Sequence, residues 1–91
     1  MKVLWTKTAS NDFRFAFDYI KKGGLYKHKE TLDSIESTIE AVWKNPSLGK
    51  PIRTKIAHEV RVPRSPFIIA YKRNSDGLEI LGLFHKSRIW K

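Results

Sequence analysis

The spacing of apolar residues changes once along this chain, and that change limits the folds it can adopt. Up to about Lys44 the apolar residues recur three and four positions apart, which is helical spacing. Beyond about Ala57 they alternate or run together, as they do in strands. The segment Asn45–Pro51 separates the two regions, and its two prolines and Gly49 predict a loop with a turn at the glycine. Helices followed by strands predict an α+β fold, with the helices packed on one face of an antiparallel sheet.

The N-terminal part predicts a strand and a first helix. Val3–Thr6 is rich in β-forming residues and predicts a short opening strand. Thr8 or Ser10 can cap the helix that follows, with Asp12 in its first turn, and Gly23-Gly24 ends it. The apolar stripe of this helix consists of Phe13, Ala16, Phe17 and Ile20.

A second helix is predicted from about Leu25 to Lys44. The residue before Pro46 avoids the helical region, so Asn45-Pro46 ends this helix. The short two-glycine connection favours an antiparallel hairpin of the two helices. The residues predicted to form the buried face of the second helix are Leu32, Ile35, Ile39, Val42 and Trp43.

The C-terminal part predicts an antiparallel β-meander. His58–Val62 alternates polar and apolar residues, which is typical of a half-buried strand. Phe67–Tyr71 is a continuous apolar run, which predicts a strand buried on both faces. Asn74–Gly77 has the chemistry of a hairpin turn, and Leu78–Phe84 is the returning strand.

Composition and charge narrow the classes of function. The 41% hydrophobic content argues against a disordered chain, and the absence of cysteine excludes a disulfide scaffold. No apolar stretch approaches the roughly 18 residues of a membrane span, and the N-terminus lacks a signal peptide, so a cytoplasmic protein is expected. The net charge is +9, of which residues 46–91 carry +7, and this predicts an anionic partner, either nucleic acid or an acidic protein.

Several passages resemble the RelE/ParE toxin superfamily along nearly the whole chain. Trp43–Pro51 is similar to the L-x-x-x-P-x-x-G-x-P passage of ParE-like toxins, and Phe67–Tyr71 to the Y-x-I-x-Y strand of the family. Leu81–Trp90 resembles the closing I-L-x-x-x-H-x-x-R-x-W signature, and Arg61 stands on the first meander strand. The order of elements also matches, so residues 1–91 are expected to form a single toxin domain.

The resemblance implies the toxin component of a type II toxin–antitoxin module, related to plasmid stabilisation proteins. Such a toxin is expected to be neutralised by a cognate antitoxin and to need neither a cofactor nor a metal. Its target would be DNA gyrase in the ParE branch or ribosome-bound mRNA in the RelE branch. The fold does not decide between the two, because function depends on the site.

The RelE pattern of basic residues fits only in part. Arg61 matches a basic position, but Glu59 and Ile68 replace two others. Lys86 and Arg88 match the basic end of the last strand, where Trp90 stands nearest to the tyrosine of that branch. If the chain cleaves RNA, the candidate catalytic residues are Glu59, Arg61, His85 and Arg88. The candidate residues for binding the target or the antitoxin are Arg61, Arg64, Tyr71, Lys86, Arg88 and Trp90.

Three functions follow as alternatives. The incomplete RelE set and the ParE-like closing signature favour a gyrase-directed toxin without chemistry of its own. The positive charge of the second half keeps a ribosome-dependent mRNA endonuclease open, and composition alone also allows a non-catalytic small RNA-binding protein. In the toxin case, an acidic and partly disordered antitoxin segment is expected to cover Arg61 and the Lys86–Arg88 end.

Overall fold

The computed structural model describes residues 2–23, 28–52 and 57–86. The helices and strands in chain order are β1 (Lys2–Trp5), α1 (Lys7–Gly23), α2 (His28–Lys44), β2 (Lys50–Pro51), β3 (His58–Arg61), β4 (Phe67–Asn74) and β5 (Gly77–His85). A short 3-10 helix, Pro46–Leu48, lies within the predicted loop, and β2 forms the last two residues of that loop. The predicted α+β order of one strand, two helices and then a meander is confirmed.

The strands form one sheet in the order β1-β5-β4-β3-β2. The pairs β3–β4 and β4–β5 are antiparallel, which is the predicted meander. The opening strand β1 lies parallel to β5, with Lys2 opposite Gly77 and Trp5 opposite Ile80. The first and last strands of the described chain are therefore neighbours, and α1 and α2 fall within the crossover between parallel partners.

Helix α1 begins earlier than its sequence predicts. The amide N–H of Ala9 donates a 3.0 Å hydrogen bond to the hydroxyl of Thr6, so Thr6 caps this helix, and the prediction of Thr8 or Ser10 is wrong. Asp12 consequently lies beyond the first turn. Its carboxylate accepts a 3.2 Å hydrogen bond from the backbone N–H of Leu83, which lies beyond the residues of β5 that pair with β1. Thr6, Thr8 and Ser10 all have a suitable hydroxyl, and the position at which β1 ends decides which one caps the helix.

The predicted buried faces of the helices are confirmed for most of the described side chains, although Phe17 and Leu32 are only half-buried. Ile35, Ile39 and Val42 of α2 are buried, and Trp43 packs beside them. In α1, Ala16 is buried and Phe13 packs against the core. The side chain of Ile20 and the predicted helix start at Leu25 lie outside the described residues. As predicted, α2 ends at Lys44, directly before Asn45-Pro46.

Strand β4 is fully buried on one face only. Phe67, Ile69 and Tyr71 are at most 2% exposed, whereas Ile68 and Ala70 are half-buried. The prediction of complete burial on both faces is therefore wrong. The reason is that the core, to which both helices contribute, lies on one face of the sheet. We call this face the core face and the opposite one the outer face.

A β-bulge in β5 exchanges the residues on these two faces. Ala70 pairs with Gly82, but the next residue, Tyr71, pairs with Ile80, so Leu81 is the extra residue. Before the bulge the buried hydrophobic side chains of β5 are those of Leu78 and Ile80, and after it the buried side chain is that of Leu83. One inserted residue reverses the alternation of a strand, so it decides on which face the end of β5 places its side chains.

Candidate partner-binding surface

Glu59 and Arg61 lie together on the outer face. They stand opposite Ala70 and Ile68 of β4, so the predicted common face is confirmed. The carboxylate of Glu59 lies 3.6 Å from the ammonium of Lys50 on β2. Both groups are partly exposed to water, so this pair contributes at most about 1 kcal/mol. The arginine side chain is exposed.

His85 lies on the other face of the sheet. It stands opposite Phe67, whose side chain is buried in the core, and the two rings meet edge to face with centroids 5.8 Å apart. The candidate catalytic residues Glu59 and Arg61 are therefore separated from His85 by the sheet itself. The fourth candidate, Arg88, lies outside the described residues. The three described candidates do not converge on one point.

Three exposed cations gather at one end of the sheet. Arg61 ends β3, Arg64 stands in the loop to β4, and Lys86 follows β5 directly. The amide N–H of Lys86 donates a 2.7 Å hydrogen bond to the carbonyl of Pro66, so the end of β5 lies against that loop. The sequence has no acidic residue between Glu59 and Asp76. We call Arg61, Arg64 and Lys86 the basic rim.

Arg64 has an unusual backbone conformation. Its φ of 57° makes it the only non-glycine residue of the described ranges with positive φ. A left-handed conformation costs a residue with a side chain about 1–2 kcal/mol, and glycine or asparagine usually occupies such positions. Arg64 was predicted as a candidate residue for binding the target or the antitoxin, but the sequence shows no sign of this strained backbone.

Tyr71 is not a surface residue, and its assignment to a binding surface needs correction. Its side chain is 1% exposed, and its hydroxyl donates a 3.1 Å hydrogen bond to the carbonyl of Pro46. It stands on the core face because it alternates with Ala70, so it ties β4 to the segment that follows α2. Trp90, another candidate for the binding surface, lies outside the described residues.

Gly49 is a structural residue that the sequence did not identify correctly. Its backbone is extended, with φ −82° and ψ 158°, so it does not form the predicted turn. A Cβ atom at this position would lie 2.1 Å from the hydroxyl oxygen of Tyr71 and 2.8 Å from two ring carbons. Glycine is needed here because the chain passes directly over the tyrosine ring. The P-x-x-G passage thus accommodates Tyr71 in two ways. The carbonyl of Pro46 accepts its hydrogen bond, and the missing side chain at Gly49 leaves space for its ring.

Burial raises the pKa of Tyr71 above its usual value, and a backbone hydrogen bond at Gly49 lowers it in part. Because the pKa is higher in the folded state, the contribution of Tyr71 is complete below about pH 10, the pKa of an unfolded tyrosine, and decreases as the pH rises beyond it. We expect the free energy of unfolding, measured with urea, to fall more steeply above pH 10 in the native protein than in Tyr71→Phe. Equal slopes for the two proteins would contradict this assignment.

Comparison with known proteins agrees with this architecture. The profile of the ParE toxin of type II toxin–antitoxin systems, parDE, matches residues 3–90. The chain belongs to the ParE toxin family. A solved structure described as a chromosomal ParDE toxin–antitoxin system from P. aeruginosa is similar in fold, with a TM-score of 0.66 and 20% sequence identity. The match covers 93% of this chain and 95% of that one. No curated protein sequence matches the chain.

This ParE-family toxin is therefore the toxin component of a type II system, a context that implies an antitoxin partner. The closing family signature falls partly on Ser87–Trp90, outside the described residues, while its histidine is the inward-facing His85. In the described ranges, no helix of the toxin is long and apolar enough to cross a membrane. Those ranges also hold no group of three or more potential metal ligands.

Proposed function

We propose that this ParE-family toxin arrests growth by binding DNA gyrase, without catalysing a reaction itself. The observation that carries the non-catalytic part of the proposal is the separation of Glu59 and Arg61 from His85 on opposite faces of the sheet. Gyrase is proposed as the target because the family match is to the ParE branch. Cleavage of RNA by its 2′-hydroxyl needs a general base and a general acid on either side of one phosphate. Residues on two faces of a sheet do not meet this geometry, so a binding surface is the better interpretation.

The second part of the proposal concerns the antitoxin. A toxin with a net charge of +9, and with no acidic residue in the sequence between Glu59 and Asp76, suits an acidic segment that folds on contact. We expect this segment to cover Arg61 and the Lys86–Arg88 end. A complex that leaves both regions exposed to solvent would contradict this part of the proposal.

An mRNA endonuclease acting on the ribosome is the second candidate. The basic rim favours it, because arginine binds phosphate oxygens through two parallel hydrogen bonds. The two candidates differ in the synthesis that stops first. After induction without antitoxin, pulse-labelling should show early loss of DNA synthesis and induction of the DNA-damage response if gyrase is the target. Early loss of protein synthesis would overturn the gyrase proposal.

We predict that Glu59→Gln and His85→Gln, alone and together, remain toxic. A catalytic acid or base contributes about 10²- to 10⁴-fold to a rate, so an RNA-cleaving toxin would lose most of its effect on these changes. Growth inhibition should be measured at matched expression, with urea unfolding as a control for folding. Loss of toxicity in a variant that folds normally would return these residues to a catalytic role.

A further inference from the structure

The left-handed backbone of Arg64 is not explained by the fold alone. A glycine or asparagine would adopt a φ of 57° more readily than arginine does. Within the described chain, the side chain of Arg64 does not offset the cost of this backbone conformation, since it is exposed and no ion pair joins it to a described residue. A residue that is unfavourable for the backbone and without benefit to the fold is expected to serve an intermolecular contact.

Hydrogen bonds within the loop between β3 and β4 hold Arg64 in this conformation. The hydroxyl of Ser65 donates a 2.9 Å hydrogen bond to the carbonyl of Val62 and accepts one of 3.1 Å from the amide of Phe67. The amide of Val62 donates a 2.9 Å bond to the carbonyl of Phe67 and closes the loop. Val62 and Phe67 are both buried, and proline on either side of Arg64-Ser65 restricts the backbone. The backbone at Arg64 is thus held in a rigid loop, from which the exposed side chain extends.

The side chains around Arg64 indicate which kind of partner would bind there. Arg61 and Lys86 are the other cations of the rim, and the register places Arg61 in one row with Ile68 and Phe84 across the outer face. The aliphatic and aromatic side chains of this row are half-buried. Cations beside a partly apolar row suit a peptide that alternates carboxylate and apolar side chains, whereas a nucleic acid track would require cations spaced along a groove.

We propose that Arg64 is a preorganised anchor for a carboxylate of the acidic antitoxin segment, and that its left-handed backbone exists to present the guanidinium at the basic rim. This inference rests on the proposed neutralisation by an acidic antitoxin and assigns the residue that makes the contact. An exposed arginine loses rotamer freedom when it binds, but its planar fork forms two hydrogen bonds with a carboxylate, so less conformational entropy is lost for each bond, and the fixed loop spares the cost of ordering the backbone.

The test uses the full-length toxin and the protein encoded beside its gene. Arg64→Gly and Arg64→Asn both remove the charge and both accept the left-handed backbone, so their thermal midpoints should equal or exceed that of the native toxin. Their affinity for the neighbouring protein should fall roughly 10- to 100-fold, the effect of losing one charge-assisted contact. Arg64→Lys should lose less affinity than these two variants. Added salt should reduce the difference in affinity between the native toxin and the variants, because it screens the contact.

Arg14→Gln is the matched control, since it removes one exposed arginine from α1 and leaves the rim unchanged. Affinities of the Arg64 variants equal to that of the control would overturn the assignment of Arg64. Unchanged affinity for the neighbouring protein, together with weaker binding to labelled duplex DNA or RNA, would overturn it in favour of a nucleic acid contact. If the native toxin does not bind the neighbouring protein, the proposed neutralisation fails first, and the inference with it.

Discussion

Replacement of Gly77 by alanine should destabilise the toxin more than any other single methyl group added to the sheet. The Cβ atom would lie 1.9 Å from the backbone carbonyl oxygen of Lys2, and the φ of 155° is one that L-residues rarely adopt. The backbone carbonyl of Lys2 cannot rotate away as the end of a flexible side chain can, so β1 must shift or separate from β5. Backbone strain and overpacking together should lower the free energy of unfolding by roughly 3–5 kcal/mol.

Urea unfolding measures this loss, and hydrogen exchange locates it. The amide of Thr6, which donates a 3.1 Å hydrogen bond to the carbonyl of Ile80, should exchange faster if β1 separates. Ser75→Ala in the same turn is the control, because this side chain is exposed and should change stability by no more than about 0.5 kcal/mol. An unfolding midpoint of Gly77→Ala equal to that of the control would mean that β1 does not approach the turn as closely as described.

Replacement of Gly49 by alanine is expected to have the second largest effect. The added atom would overlap the hydroxyl of Tyr71 and force the ring or the segment after α2 to move, which also breaks the hydrogen bond to Pro46. We expect a loss of roughly 2–4 kcal/mol. Gly82→Ala is the matched control, because its Cβ would meet only the carboxylate of Asp12, at 3.3 Å, and a ring carbon of Phe84, at 4.0 Å.

A double-mutant cycle separates the clash from the other effects. Tyr71→Phe alone removes the hydroxyl and should cost about 1–2 kcal/mol. When it is combined with Gly49→Ala, the closest contact of the added Cβ atom disappears, although the ring carbons at 2.8 Å remain. The double variant should therefore lose less than the sum of the single variants, by roughly 1 kcal/mol. Strict additivity would show that the two residues do not meet.

The positions of some candidate residues could be predicted from the sequence, and those of others could not. Arg61 and Lys86 were predicted at strand positions that the structure brings to one end of the sheet. The common face of Glu59 and Arg61 was also predictable, because residues two apart on a strand share a face. Tyr71 was misplaced because an aromatic residue within an apolar run can face either side of a sheet. Neither its spacing nor its type reveals which.

The local structure of this toxin could be predicted from the sequence alone: the two helices, the end of α2 before Pro46, the Asn74–Gly77 turn and the order of the meander. These features depend on residues close along the chain, through periodicity and turn chemistry. Contacts between distant segments became known only from the folded chain, in which β1 pairs with β5 and Gly49 lies against Tyr71. The bulge at Leu81 that directs His85 to the core face belongs with them. The physical reason is that strand pairing and bulges depend on what the whole core can bury, and no short window of sequence contains that information.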